Sequence, residues 1–200
     1  MRQWRAITVM ACFFALAILA GAQQPPPGKK DDAKKDPQQA FEPRSGPGAG
    51  QKFLEKFVGD WAVEKKFFPR DGGQPSVSKG TCKQEMIHAG RFLRSEFTFE
   101  GTAGKSTGTG VIGFEPDTAL FTSSWIDSRQ TRMSFRKSKE KFTGEKIELF
   151  GSGLGAEPEM RKSKTITTLE DDGKKIVHKQ FSIAADGTER QVMELAMTKK

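Results

Sequence analysis

Few residues in this chain are suited to chemistry. There are two histidines, His88 and His178, and two cysteines, of which Cys12 sits inside an apolar N-terminal stretch and Cys82 does not. A zinc site draws three or four ligands from His, Cys and carboxylate at short, repeated spacings. The two histidines are far apart and no such spacing occurs, so neither a metal site nor a cofactor is expected. Cys82, Gln84, Met86 and His88 alternate along one segment and would share one face of a strand. If that face looks into a barrel, a neutral His88 becomes a candidate haem ligand. Ser123, Ser124 and Ser128 surround Trp125, but no Gly-x-Ser-x-Gly elbow occurs. No catalytic residue is assigned. Trp125 and Asp127 would share a strand face with Phe121 and Ser123, and an aromatic beside a carboxylate at a strand end suits the mouth of a pocket.

Two further patterns are read structurally. Gly101-Thr102-Ala103-Gly104 and Gly108-Thr109-Gly110 invite comparison with a phosphate loop, which needs a following helix whose N–H groups meet the anion. Strand patterning through Val111 and Phe114 follows instead, so these glycines mark a hairpin and a strand bend. The formal net charge is +8, from 33 Lys+Arg against 25 Asp+Glu. The basic residues are interleaved with acids, as in Lys137-Ser138-Lys139-Glu140-Lys141, which describes a solvated outer wall and excludes a nucleic-acid surface.

The elements that must position these residues begin after an address label. Charged residues make up 29% and apolar residues 35%, which excludes a polytopic membrane protein, while 16 Phe argue against disorder throughout. Arg2 and Arg5 precede the apolar run Ala6–Ala20, and Ala20-Gly21-Ala22 supplies small residues for cleavage. Residues 1–22 read as a secretory signal peptide cut after Ala22. The run is shorter than the roughly 20 residues a bilayer span requires, so no stable membrane insertion is expected after cleavage. Gln23 in the first mature position excludes lipoprotein attachment. The destination is export, periplasmic or secreted. Residues 23–50, rich in Pro and Lys, form a disordered linker. Cys82 then has no intramolecular partner and reads as a small buried apolar residue.

The domain proper spans 51–200. Phe53, Leu54, Phe57 and Val58 make an apolar stripe on two helical turns that Gly59 ends. About ten strand-like segments follow, separated by turn chemistry such as Asp172-Gly173 and Asp186-Gly187. No helix-length crossover separates them, so the sheet is antiparallel. Alternation assigns a dry face to Leu93, Phe97 and Phe99, to Thr131, Met133 and Phe135, and to Met193, Leu195 and Met197. A long sheet with one dry face closes, because closure removes its edges and covers its apolar side.

Gly59-Asp60-Trp61 after a helical turn resembles the Gly-x-Trp opening of lipocalin-like, or calycin, barrels. Gly90-Arg91-Phe92-Leu93, the run Gly108–Phe114, Ser124-Trp125-Ile126-Asp127-Ser128 and Met193-Glu194 together resemble a bacterial family, domain of unknown function 1579, predicted to be lipocalin-like. The resemblance covers residues 51–200 and implies a fold without an activity. The expectation is an all-β, single antiparallel up-and-down barrel of about ten strands, closed at one end by a short N-terminal helix. Inside it, Trp125, Asp127, Phe121, Phe97, Phe99, Met133, Phe135 and His88 are the candidate residues for holding a small, largely apolar molecule. The alternatives are a ligandless barrel acting as an envelope interaction module, a haem-binding barrel, or an enzyme, which ranks last.

Overall fold

The structure, a computed structural model, describes residues 46–101, 104–152 and 162–200. The expected signal peptide and all but the last five residues of the expected linker lie outside them. One helix, α1 (Ala49–Glu55), precedes ten strands: β1 (Gly59–Phe67), β2 (Ser76–Ile87), β3 (Phe92–Gly101), β4 (Gly104–Glu115), β5 (Leu120–Asp127), β6 (Ser134–Lys137), β7 (Lys146–Ser152), β8 (Lys162–Glu170), β9 (Lys175–Ile183) and β10 (Glu189–Lys199). Each pairs antiparallel with its sequence neighbours. β1 also pairs with β10, from Trp61 opposite Lys199 to Phe67 opposite Met193, so the sheet closes on itself. The expected all-β, up-and-down barrel is the observed one.

The helix starts ahead of the apolar stripe because a polar residue anchors it. The Gly48 N–H donates to Gln51 Oε1 at 2.7 Å, and Gln51 Nε2 donates to the Phe114 carbonyl at 2.8 Å, which ties α1 to the end of β4. Gln51 is buried for this purpose, and hydrophobic periodicity carries no sign of such a residue. Phe57 and Val58 lie beyond the helix, in the turn that leads into β1.

From α1, Phe53 and Leu54 plug one end of the barrel. Phe53 meets Phe142 at 4.9 Å between ring centroids, and Phe121 contacts both Phe114 at 4.9 Å and Phe142 at 5.0 Å. Phe142 belongs to this cluster rather than to a strand, its N–H donating to the Ala119 carbonyl, and β7 therefore begins later than alternation suggests. Trp61, fully buried beneath the helix, donates its indole N–H to the Phe57 carbonyl at 3.0 Å. Opposite Trp61 in the ladder stands Cys82, also buried. Burial pushes its thiol up to about 12, leaving it protonated and inert.

One face assignment is reversed. β6 covers only Ser134–Lys137, and it pairs Ser123 with Arg136 and Trp125 with Ser134. Directly paired residues point to the same side of a sheet. Phe121, Ser123 and Trp125 point inward, so Ser134 and Arg136 do too. Met133 and Phe135 consequently face outward and are 47% and 56% exposed. A four-residue strand has little apolar surface with which to set its own register; the larger investment of β5 in Phe121 and Trp125 sets it instead.

Replacing Leu54, the fully buried centre of the plug, by Ala is expected to destabilise the fold by about 2–5 kcal/mol, measured as a lower urea midpoint with an unchanged m-value.

Candidate functional site

Above the plug the barrel is hollow, with a cavity of about 380 Å³. Leu54, Phe57, Leu93, Ile176 and Met197 form its floor. Phe97, Phe99 and Trp125 line the β3–β5 side. Across the ring, Thr165, Thr167, His178 and Gln180 line it from β8 and β9, with Arg136 and Ser134 from β6. Exposed Arg129, Gln130 and Arg132 border the end away from the helix.

Trp125 is held on three sides. Its indole lies across the bare backbone of β4: a Cβ on Gly108 would come within 2.3 Å of Trp125 Cζ2. Gly108-Thr109-Gly110 is thus a shelf for an aromatic ring rather than a bend. The Phe97 ring meets the indole at 5.5 Å in a T-shaped contact, and Trp125 Nε1–H donates to Asp127 Oδ2 at 3.0 Å. Asp127 is itself saturated, accepting from the Arg129 backbone N–H at 2.8 Å and from Gln130 Nε2 at 3.2 Å. Burial opposes its ionisation, but the bonds from Trp125 and Arg129 outweigh it and hold the carboxyl below its ordinary range. Lys65 stands 4.2 Å over the Phe99 ring. Burial, with Arg129 second, lowers its pKa, and Asp127 partly opposes them.

The polar side is less well satisfied. His178 Nδ1 and Thr167 Oγ1 share a hydrogen bond of 2.8 Å. Burial, and then the charge of Arg136, push His178 down to about 4, so the imidazole is neutral at pH 7. Arg136 Nε and Gln84 Oε1 are buried without a hydrogen-bond partner, and burial alone lowers the Arg136 pKa. Among the described residues no group of three or more His, Cys, Asp and Glu is placed to hold a metal ion.

Of the residues singled out in the sequence, Trp125, Asp127, Phe97 and Phe99 come together around the cavity. Phe121 lies below it in the plug, among Phe114 and Phe142. Met133 is on the outside. Phe135 borders a separate open hollow on the outer wall with Phe92 and Phe150. His88 is also outside the cavity. β2 ends at Ile87, and the chain reverses through His88 and Ala89, both at positive φ, leaving His88 exposed beside Phe92. The candidate haem ligand of the alternative reading therefore does not face the interior. Thr167 and His178 were missed as lining residues because each sits on a strand where both alternating sets mix polar and apolar side chains, and Arg136 because alternation placed it opposite Met133 and Phe135.

Residues 46–199 match the family described as Protein of unknown function (DUF1579). The chain belongs to that family. No protein among those of curated function matches it. The crystal structure of Rv2717c from M. tuberculosis is similar, with a TM-score of 0.55 and 16% identity over 78% of this chain and 99% of that one. At that identity the likeness concerns the fold alone.

Two outcomes follow from this geometry. Gly108→Ala should displace the indole and weaken its bond to Asp127, read as a changed near-ultraviolet dichroism of Trp125 with little change in far-ultraviolet signal. His178, ordinarily near 6.5, titrates near 4 in the folded protein. Between those pH values the unfolded chain takes up a proton that the folded one refuses, so stability should fall as pH drops through that window. Thermal melts of His178→Gln should fall less steeply there than those of the parent; identical slopes would remove His178 from the interior.

Proposed function

We propose that this protein is exported and that its barrel binds a small, largely apolar molecule in the cavity above the helical plug. The observation that carries the reading is the hollow of about 380 Å³. Closed small barrels either fill their interior with side chains or leave room for one small ligand, and ligand pockets usually run from about 300 to 1,000 Å³. The aromatic rings concentrate at the plug, so the space above them is unfilled. Phe97, Phe99 and Trp125 present apolar surface there, and each 100 Å² of ligand surface removed from water is worth roughly 2.5 kcal/mol before the costs of association. Asp127 is tied up by Trp125, Arg129 and Gln130 and serves to hold the indole rather than to contact the ligand. A ligandless interaction module would call for a solid interior.

Export is supported by the basic start at Arg2 and Arg5, the apolar run to Ala20 and the small residues before Gln23. The interleaved surface charges support a partner that is neither nucleic acid nor membrane. The expected site is periplasmic or secreted.

Trp125 supplies the test. Cleavage after Ala22 would leave Trp61, sealed under the helix, and Trp125, on the cavity, as the two fluorophores. Titration with N-phenyl-1-naphthylamine should quench Trp125 emission by energy transfer and brighten the probe, and Trp125→Phe should abolish most of the quenching. An unchanged probe spectrum, together with a clean apo mass from native mass spectrometry of protein purified from its source, would remove the binding reading.

A further inference from the structure

The interior of this barrel is electrically lopsided. Among the described residues that border the cavity, Lys65, Arg129, Arg132 and Arg136 carry positive charge, and Asp127 is the one carboxylate. Asp127 is already committed to Trp125, Arg129 and Gln130. The outer wall follows the opposite rule. There Glu85 pairs with Arg94, Glu148 with Lys146 at 2.9 Å and Glu170 with Lys175 at 2.9 Å. At mid-depth in the barrel, among the described residues, no such acid is supplied.

Arg136 is the deepest of these cations. It stands opposite Ser123, one inward-facing position below Trp125 and one above Phe121. Its stem lies on the backbone of β7, where a Cβ on Gly151 would come within 2.9 Å of Arg136 Cγ, so the side chain is packed rather than free to swing. Among the described residues no carboxylate pairs with it, and its Nε–H is buried without an acceptor. His178, close enough to feel its charge, is neutral and cannot compensate it. The guanidinium Nε–H has lost its water with nothing in exchange, a costly arrangement unless an anion completes it. A planar carboxylate is the group that such a fork matches through two parallel hydrogen bonds.

Resting on the binding reading above, we propose that the cavity takes an amphiphile with a single carboxylate head, which pairs with Arg136 at mid-depth while its apolar tail lies against Phe97, Phe99 and Trp125. The head is single because one unpaired guanidinium occupies that depth; the other cations stand nearer the mouth, in reach of water. The tail is short, since 380 Å³ holds about a dozen water-sized groups. The exposed cations at the mouth add steering of an anion toward the opening.

The experiment compares decanoate, decanol, methyl decanoate and decylamine by displacement of N-phenyl-1-naphthylamine from the full chain at pH 7.5. Decanoate should bind at least tenfold more tightly than decanol or the methyl ester, and decylamine most weakly. Arg136→Met should collapse the decanoate-to-decanol ratio toward one, whereas Arg136→Lys, which keeps the charge and loses the fork, should retain part of it; far-ultraviolet dichroism checks that both variants are folded. Equal affinity for decanoate and decanol in the parent would overturn the carboxylate assignment and leave the apolar-ligand reading standing. A decanoate preference that survives Arg136→Met would place the head on the mouth cations and also overturn it. If the naphthylamine and all four compounds fail to bind, both readings fall together.

Discussion

Everything in this molecule depends on the seam between its first and last strands. Once β1 pairs with β10, the sheet has an inside and an outside and no free edge. Every strand residue must then point one way or the other, and each ladder fixes the choice for its neighbour. The effect is visible at β6. Alternation through this segment would turn Met133 and Phe135 inward, but Ser123 and Trp125 on β5 impose the reverse, and a guanidinium enters the barrel as a result.

Closure also decides where there is empty space. The ring has a nearly constant circumference, while large side chains are unevenly distributed along its axis. Phe53, Phe114, Phe121 and Phe142 crowd the helix end, with Trp61 beneath the turn. Toward the other end the inward positions carry Gly108, Gly110, Ser123, Ser134 and Thr165. Those side chains are too small to meet across the axis, and a cavity is what remains. The same small residues make the aromatic wall possible, because Trp125 lies flat only where β4 has no Cβ to lift it.

A polar interior is costly when dry, and this barrel meets that cost unevenly. Near the mouth, Asp127 and the groups around it form a closed set of hydrogen bonds. At mid-depth, Thr167 and His178 satisfy each other, with the imidazole kept neutral by burial and by the nearby guanidinium. Arg136 and Gln84 have no such arrangement. The contrast between saturated and unsaturated polar groups, more than the volume of the hollow, gives the cavity a chemical identity.

Alternation, turn dipeptides and the missing crossovers were enough to read an antiparallel closed sheet of ten strands with a helix at one end, because those signals are local and repeat in every strand. Phe97, Phe99, Leu195 and Met197 were legible as interior for the same reason: each alternates with charged or small neighbours on its own strand, and Leu93 and Met193 continue the same two faces. Trp125 and Asp127 could be paired from their spacing alone. His88 could not be placed, because whether a residue at a strand end continues the ladder or enters the turn depends on where the partner strand stops. Nor could Arg136 and His178 be seen as neighbours, since they stand on strands three apart around the ring and meet only through the interior. Local patterning specifies the kind of surface each strand carries. Closure of the ring, which couples all ten registers at once, chooses which of the mixed faces turns inward.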